Sequence, residues 1–322
     1  MSRLTSSDVG QRVTVRRRMD TASGRMSDVV GQLVGWSDEQ LLVQRSDGST
    51  TAVPHTAVVA ARVVAATRAK VPTVAELQEI AARGWRSPDT SWVGRWWLRA
   101  AGGFTGRANA VLPLGSPGIP LDAALSIVSR WYEERGLPAR FLLEVGAPLD
   151  HELQARGWME PQGRYSSVLV QTAPLATAIV SVSALTHRQL PPVSITAMPT
   201  DAWLRNYRDG EAMQATARAV LAQHPRVRFA ELHAEGRLIA IGRVAVDERW
   251  AGVSAVTVEP AARRRGIATA VVRSLLGEAW KLGARRAYLQ VEEGNVPAIR
   301  LYERIGFTTH HRYHYLTPGI AS

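Results

Sequence analysis

VTVEPAARRRGIATAVVRSLL, residues Val256 to Leu276, is the stretch that decides the fold, because it reads as a strand, a tight basic turn and a helix. Its β-branched start favours a buried strand, and Pro260 ends that strand because proline offers no donor to the ladder. Apolar residues then recur at helical spacing, at Ile267, Val271, Leu275 and Leu276. The pattern predicts a strand–turn–helix unit with its turn at residues 263–266.

The turn has the composition of an anion-binding site. Gly266 lets the backbone turn and approach a ligand with no side chain between them. The first N–H groups of the following helix have no partner within the helix, and the helix dipole favours negative charge there. Arg263, Arg264 and Arg265 add positive charge. We predict a pyrophosphate site; the alternative is an ordinary strand–helix turn with solvated arginines.

Two motifs resemble those of a known family. Arg263-x-x-Gly266-x-Ala268, after a Val-x-Pro strand end, resembles the acyl-CoA loop of the GCN5-related N-acetyltransferases, the GNAT family. NVPAIRLYERIGF, residues 295–307, resembles the family signature Asn-x-x-Ala-x-x-Leu-Tyr-x-x-x-Gly-Phe. The pair identifies residues 190–322 as a catalytic GNAT domain of α+β class. It also implies that strands 250–258 and 288–291 run in parallel and splay apart to admit the coenzyme.

The resemblance implies acetyl-CoA as cosubstrate, no metal, and a set of binding residues. The coenzyme site that it implies comprises Val256, Val258, Arg263, Arg264, Arg265, Gly266, Ile267, Ala268, Thr269, Asn295 and Ala298. In this set the strand backbone pairs with pantetheine, the turn holds the pyrophosphate, and Asn295 braces the coenzyme arm. Tyr302 matches the family's general acid, which protonates the leaving thiolate. The alternative for Tyr302 is a core aromatic on an amphipathic helix.

The general base is the point at which the chain departs from the family pattern. Family members that act on protein lysine often carry a glutamate on the strand before the loop, and Gly252 stands at that place. No carboxylate occurs between Trp250 and Val258. We take Glu292 as the candidate base beside the acid Tyr302, with Glu231, His233 or a water chain as open alternatives. The departure weakens the case for a histone-type acceptor.

Residues 1–70 predict a small SH3-like β-barrel upstream of the motifs. Short strands with polar and apolar residues in alternation are expected at 11–17, 29–34, 41–45, 50–53 and 58–64. Turn signals separate them at residues 35–38 and at Asp47-Gly48. We expect a docking or structural role for this domain.

Residues 71–175 predict a degenerate first copy of the same fold. The helix end at 131–136 and the strand at 139–145 resemble 278–283 and 285–291 of the second copy. Where the second copy has its basic turn, residues 115–120 contain no arginine, and Pro117 and Pro120 each lack an N–H donor. We therefore expect the coenzyme in the second copy only; the alternative is two unrelated α/β segments.

Some local expectations follow from weaker patterns. Residues 166–185 are expected to form two strands around a turn, and residues 172–196 to connect the two copies. Asp150 and Asp201 are expected to act as helix N-caps. His310, His311 and His314 precede an expected strand at 313–316, and we favour an ordinary start of that strand over a metal site.

Composition bounds the function. The chain has 322 residues, a net charge of +11 and no cysteine, which excludes disulfides, thiolate nucleophiles and Cys-based metal sites. No apolar leader follows Met1 and no membrane span is expected, so we expect a cytoplasmic protein. The positive charge suits a phosphate-rich ligand and is compatible with weak attraction to nucleic acid or with an arginine-rich proteome.

Three functions are compatible with the sequence. The first is acetyl-CoA-dependent transfer of an acetyl group to a primary amine, on a protein lysine or a small molecule. The second is a small-molecule acetyltransferase similar to mycothiol synthase, which does not call for residues 1–70. The third is a non-catalytic regulator that binds acyl-CoA or nucleic acid. An intact Tyr302 favours an enzyme over a regulator.

Overall fold

A computed structural model of the chain describes residues 4–19, 25–45, 49–64, 71–161, 167–185, 190–207 and 214–319. The chain forms two compact units, Met1–Val71 and Pro72–Ser322. The turn expected at Asp47-Gly48 lies outside the described residues.

The first unit is a five-stranded antiparallel sheet. Its strands are β1 Arg12–Arg18, β2 Met26–Trp36, β3 Gln40–Gln44, β4 Thr50–Pro54 and β5 Val58–Val63, in the order β4-β3-β2-β1-β5. One face carries the alternate apolar residues, and its buried members include Val13, Val15, Val29 and Leu33. The small β domain predicted from the alternating pattern is confirmed, because only period-2 apolar spacing buries one face of a strand.

The second unit mixes helices with strands of four to eleven residues and with two short strands of two residues each. Its helices are α1 Val74–Gly84, α2 Leu121–Glu133, α3 Pro148–Ala155, α4 Leu175–Ala184, α5 Asp201–Arg205, α6 Gln214–Ala222, α7 Ile267–Lys281 and α8 Val296–Arg304. Its strands are β6 Asp89–Val93, β7 Trp96–Ala100, β8 Leu112–Pro113, β9 Phe141–Glu144, β10 Trp158–Met159, β11 Val168–Pro174, β12 Val193–Thr196, β13 Val227–Ala234, β14 Arg237–Asp247, β15 Trp250–Val258, β16 Arg286–Glu292 and β17 Thr308–Pro318.

A nine-stranded sheet organises this unit. Its main path runs β10-β17-β11-β16-β15-β14-β13-β12, and β9 also pairs with β17. β15 and β16 run in parallel, while β11 lies antiparallel between β16 and β17. Strands from residues 141–174 thus complete the same sheet as strands from residues 193–318. The two halves share one sheet.

The order of elements is repeated within the unit. The series β6, β7, β8, α2, β9, α3 matches the series β13, β14, β15, α7, β16, α8. In the first series the parallel contact is reduced to a bridge between Val111 and Phe141. The weak sequence repeat therefore corresponds to a tandem arrangement whose first copy is degenerate.

Helix α7 is held against the sheet by an apolar stripe. Val271, Val272, Leu275 and Leu276 are at most 1% exposed and belong to the large core formed with β13, β14 and β15. Burial of each such side chain contributes roughly 1.5–3 kcal/mol, so this packing fixes where the helix begins. The start of α7 consequently lies next to the end of β15.

Four local expectations were wrong. Residues 166–185 were expected to form two strands, and 172–196 a connecting segment; instead β11 is followed by α4, in which Leu175 and Val182 are fully buried in the core that contains α7. Tertiary packing outweighs the β-branched composition there. Ala147 and Thr200, and not Asp150 and Asp201, are the N-caps of α3 and α5.

The C-terminal histidines lie within a strand. β17 begins at Thr308 and contains all three of them, so it starts earlier than the sequence predicted. In the described ranges no group of three or more His, Asp or Glu side chains is placed to hold a metal ion. No helix in those ranges has the length and apolarity needed to cross a membrane.

Candidate functional site

A bulge in β15 separates it from β16. The two strands pair in parallel from Trp250 with Arg286 to Val253 with Leu289. Beyond this point the pairing of β15 with β14 shifts register, and Ala255 adopts a left-handed φ of 54°. A bulge bends its strand and increases its twist. Residues 256–258 therefore keep β14 as a neighbour but have no paired residue on β16.

The basic turn after β15 presents backbone donors. Arg264 and Gly266 have left-handed φ values of 60° and 83°, and Gly266 is the N-cap of α7 without a side chain to cap it. No described residue accepts a hydrogen bond from the N–H groups of Ile267, Ala268 or Thr269. Uncapped donors at a helix start, with the helix dipole behind them, form an anion-binding site.

Arg263 ties the turn to the strand. Its Nε donates to the Val258 carbonyl oxygen over 3.2 Å. This contact holds the turn beside the unpaired end of β15. The guanidinium of Arg263 is thereby used in shaping the turn as well as in supplying charge.

One cavity of about 990 Å³ joins the strand end, the turn and the start of α8. This volume lies at the upper end of the range for small-molecule sites, ~300–1,000 Å³. The cavity is lined by Val256, Thr257, Val258, Pro260, Ala261, Ala262, Arg263, Arg264, Gly266, Ile267, Ala268, Thr269, Asn295, Pro297, Ala298, Leu301 and Tyr302.

The cavity brings together most of the residues that the sequence marked as a coenzyme site. Arg265 and Glu292 were also proposed but do not line it. Thr257, Pro297 and Leu301 do line it and were missed, although the last two lie inside the quoted motif of residues 295–307. Asn295 has a structural part as well, because its Oδ1 accepts from the Ala298 N–H and caps α8.

Tyr302 faces this cavity from α8. It is 8% exposed, its ring centroid lies 5.9 Å from that of Phe307, and no described residue forms a hydrogen bond with its phenol. Burial raises the pKa of Tyr302 to about 12. The phenol is therefore protonated throughout the neutral range, as a proton donor must be.

Tyr288 fills the place where the family's glutamate is expected. Gly252 and Tyr288 are paired across β15 and β16, and a Cβ at Gly252 would lie 2.3 Å from the Tyr288 hydroxyl oxygen. A side chain at residue 252 would overlap that hydroxyl. Burial raises the pKa of Tyr288 to about 12, so its phenol cannot replace a carboxylate as base near neutral pH.

The remaining base candidates lie away from the cavity lining. Glu231 on β13 is 7% exposed; it accepts a hydrogen bond from Thr200 Oγ1 and lies 3.7 Å from His233. Glu292 is exposed at the end of β16. Strand alternation puts Glu292 on the same face as Tyr288, opposite α7. Glu292 is therefore on the face of the sheet opposite α7 and outside the cavity lining.

Solved structures share this fold. The chain superposes on a GCN5-related N-acetyltransferase from Kribbella flavida with a TM-score of 0.53 and 17% identity, covering 77% of this chain and 96% of that one. A tandem GNAT protein from the clavulanic acid biosynthesis pathway gives 0.50 and 15%, covering 78% and 90%. These likenesses establish the GNAT fold. Together with the sequence relatives described below, this fold defines the chain as an N-acetyltransferase of GNAT type.

The family is shown by the sequence comparisons. Residues 72–316 match the family described as "Probable histone acetyltransferase Rv0428c C-terminal", and residues 7–62 match "Rv0428c N-terminal Sm-like domain". The chain belongs to this Rv0428c family. The five-stranded first unit corresponds to the Sm-like domain.

Two relatives extend over most of the chain. "Probable histone acetyltransferase Rv0428c" from Mycobacterium tuberculosis is 29% identical, over 96% of this chain and 95% of the relative. "Uncharacterized N-acetyltransferase YobR" from Bacillus subtilis is 28% identical, over 75% of this chain and 97% of the relative. The second relative lacks a counterpart to about a quarter of the chain.

Proposed function

We propose that acetyl-CoA is the acetyl donor and that it occupies the cavity between β15, α7 and α8. The observation that carries the proposal is the uncapped start of α7, which meets the unpaired end of β15 in one cavity. The N–H groups of Ile267, Ala268 and Thr269, with Gly266 leaving space before them, suit a pyrophosphate. The open edge of residues 256–258 suits the amide groups of a pantetheine arm.

The reaction that this arrangement supports is direct transfer to a primary amine. Acetyl-CoA supplies an acyl group activated as a thioester. A neutral amine enters from the face opposite α7 and attacks the carbonyl carbon, so that a C–N bond forms as the C–S bond breaks. Tyr302 gives its phenolic proton to the leaving sulfur and regains one from solvent. The amine proton leaves through water to a carboxylate on that face, Glu292 or Glu231.

Calorimetry with acetyl-CoA tests the donor site. One site per chain is expected, because Pro117 and Pro120 remove donors from the corresponding turn of the first copy. Gly266→Pro should abolish binding, since proline fixes φ near −65° and residue 266 has a φ of 83°. Gly277→Ala is the matched control, because a Cβ there meets nothing within 4 Å. Two equal sites, or retained binding by Gly266→Pro, would contradict the proposal.

Release of coenzyme A tests the transfer itself. The chain has no cysteine, so a thiol reagent reports the product without background from the protein. Release that depends on an added amine and is lost in Gly266→Pro is the expected result. Binding without any amine-dependent release across amines and basic peptides would favour a non-catalytic role.

A further inference from the structure

Three arginines cluster on the face of the sheet opposite α7: Arg99 on β7 and Arg243 on β14 are buried, and Arg107 is half-buried. Arg107 lies on the loop of residues 101–109, between β7 and β8, which internal hydrogen bonds hold in shape. The side-chain oxygen of Asn109 accepts from the N–H groups of Ala101 and Gly103 over 2.7 and 3.0 Å, and its amide donates to the Thr105 carbonyl. Thr105 has a left-handed φ of 32°, a strained geometry that the surrounding contacts hold in place.

This loop delivers Arg107 to the gap between β15 and β16. The guanidinium of Arg107 donates to the side-chain oxygen of Gln290 and lies 4.2 Å from the Trp85 ring centroid. Gln290 is the first residue of β16 beyond its last pair with β15, and alternation puts its side chain on the face opposite α7. Arg107 is therefore next to the position where the acceptor amine must approach.

Two further arginines lie near Arg107. Arg243 stacks on the same Trp85 ring at 4.9 Å, and Arg99 on β7 is 2% exposed and within range of the charge of Arg107. Burial lowers the pKa of Arg243 to about 10, which is still well above neutral pH, and burial, together with the charge of Arg107, also lowers the pKa of Arg99. None of the three arginines forms an ion pair with a carboxylate of the described residues. Buried cations such as Arg99 and Arg243, with no anion beside them, are costly to the folded state.

The donors of the three guanidinium groups are used unequally. Arg243 donates to the carbonyls of Leu221 and Gly84 and lies 3.4 Å from the Ser254 hydroxyl, so it braces the strand next to the bulge. Arg99 donates to the Ala110 carbonyl, but its buried Nη2 has no partner. Arg107 uses one of its five N–H groups on Gln290. Free donors therefore remain on Arg99 and Arg107.

We propose that Arg107, supported by Arg99, binds an oxyanion carried by the acceptor, so that the acceptor is a small amine that also bears a carboxylate or a phosphate. The inference rests on the proposed acetyl transfer for the acceptor's role, but the anion site follows from the cation cluster alone. A fork of guanidinium donors matches the two oxygens of such a group. A lysine-rich peptide is disfavoured as the acceptor, because its positive charges would be repelled by these arginines.

Anion binding is tested first, independently of catalysis. The melting temperature of the full chain, saturated with coenzyme A to fill the α7 site, is measured against sodium propionate at constant ionic strength. If coenzyme A does not bind, the titration is run without it. We expect propionate to raise the melting temperature of the wild type and of Arg156→Gln, an exposed control that directly follows α3, but not that of Arg107→Gln. Equal shifts in all three proteins would overturn the site.

Pairs of amines that differ in an anionic group then test whether the anion site serves the acceptor. Phenylalanine is compared with phenethylamine, and phosphoethanolamine with ethanolamine, so that the pairs separate carboxylate from phosphate. In the wild type the anionic member should have a kcat/KM about 10- to 100-fold higher, the usual effect of a charge-assisted hydrogen bond. In Arg107→Gln the ratio should fall to about one through KM, while Arg107→Lys keeps part of it.

The outcomes distinguish the two proposals. Anion recognition would be overturned, and acetyl transfer left intact, by either of two results. One is an equal decrease in kcat/KM for both members of a pair in Arg107→Gln; the other is a higher kcat/KM for the uncharged member in the wild type. A propionate shift that needs Arg107, without amine-dependent release of coenzyme A from any pair, would support the anion site and count against the proposed transfer. If Arg107→Gln fails to fold, Arg107→Lys is compared with the wild type instead. A propionate-induced shift in melting temperature that is the same in both proteins would show that the guanidinium group does not bind the anion.

Discussion

Replacing Tyr302 by phenylalanine tests the proposed acid while leaving its ring in place. The ring is 8% exposed and packs near Phe307, and the phenol has no hydrogen bond to any described residue. Removing the oxygen should therefore change the free energy of unfolding and the affinity for acetyl-CoA little. The turnover number should fall by ~10²-fold or more, about 2.7 kcal/mol in the barrier, which is the usual effect of one general acid.

The pH dependence adds a second observable. Burial raises the pKa of Tyr302 to about 12, and the protonated phenol is the active form. Because the raised pKa keeps the proton on, about one phenol in 10³ is ionised at pH 9. The wild-type rate should show no decline from this group until about pH 11. A decline centred near pH 10 would indicate a solvated phenol.

The assay is release of coenzyme A at varied amine, with the melting temperature of each protein measured alongside. The decrease should appear equally in kcat and kcat/KM, because the proton moves only in the transition state. Tyr207→Phe is the control, since Tyr207 is a 4% exposed tyrosine that does not line the cavity. Normal turnover by Tyr302→Phe at an unchanged melting temperature would refute the acid role and leave Tyr302 as a packing residue.

Three further predictions follow from the structure. Gly252→Ala should lower the free energy of unfolding in urea by about 1–3 kcal/mol, because the new Cβ meets the Tyr288 hydroxyl. Adding Tyr288→Phe should relieve part of this loss. If the losses from the two single substitutions simply add, Tyr288 does not fill the space. A chain that begins at Val71 should keep its calorimetric affinity for acetyl-CoA, since Met1–Val71 is a separate compact unit; a large loss in a folded product would implicate that unit. Burial, together with the charge of neighbouring His310, lowers the pKa of His311 to about 4. The neutral ring therefore gives the folded state its full stability above pH 6.5, and about 3 kcal/mol of the free energy of unfolding is lost as pH falls towards 4. His311→Gln should abolish this pH-dependent loss in acid unfolding, and an identical acid profile for both proteins would contradict the prediction.

The elements near the site were predictable because their signals are local. β15 begins at Trp250 and ends at Val258, as its β-branched run and the following proline indicate. The start of α7 after Gly266 follows from a glycine next to a helical apolar stripe. Both features depend on residues within one turn of each other, so no distant contact has to be known.

Elsewhere distant contacts overrode the local pattern. Residues 175–184 form a helix because one face packs into the core that contains α7. Asp150 does not cap α3, because its carboxylate instead accepts from the Gly146 N–H and lies 2.8 Å from the ring of His314 on β17. A side chain's partner on a strand more than a hundred residues away leaves no trace in the neighbouring sequence.

The sequence by itself determined the basic turn before α7, the helix that carries Tyr302 and the loss of the basic turn from the first copy. Each of these depends on glycines, prolines, arginines or apolar spacing in consecutive residues. Only the tertiary structure decided that Ala255 bulges and opens β15 from β16, that Tyr288 occupies the space at Gly252, and that Arg107 reaches Gln290. These features arise from packing between segments that are far apart in the chain. The order of residues along the sequence does not say which of these segments lie close together in space.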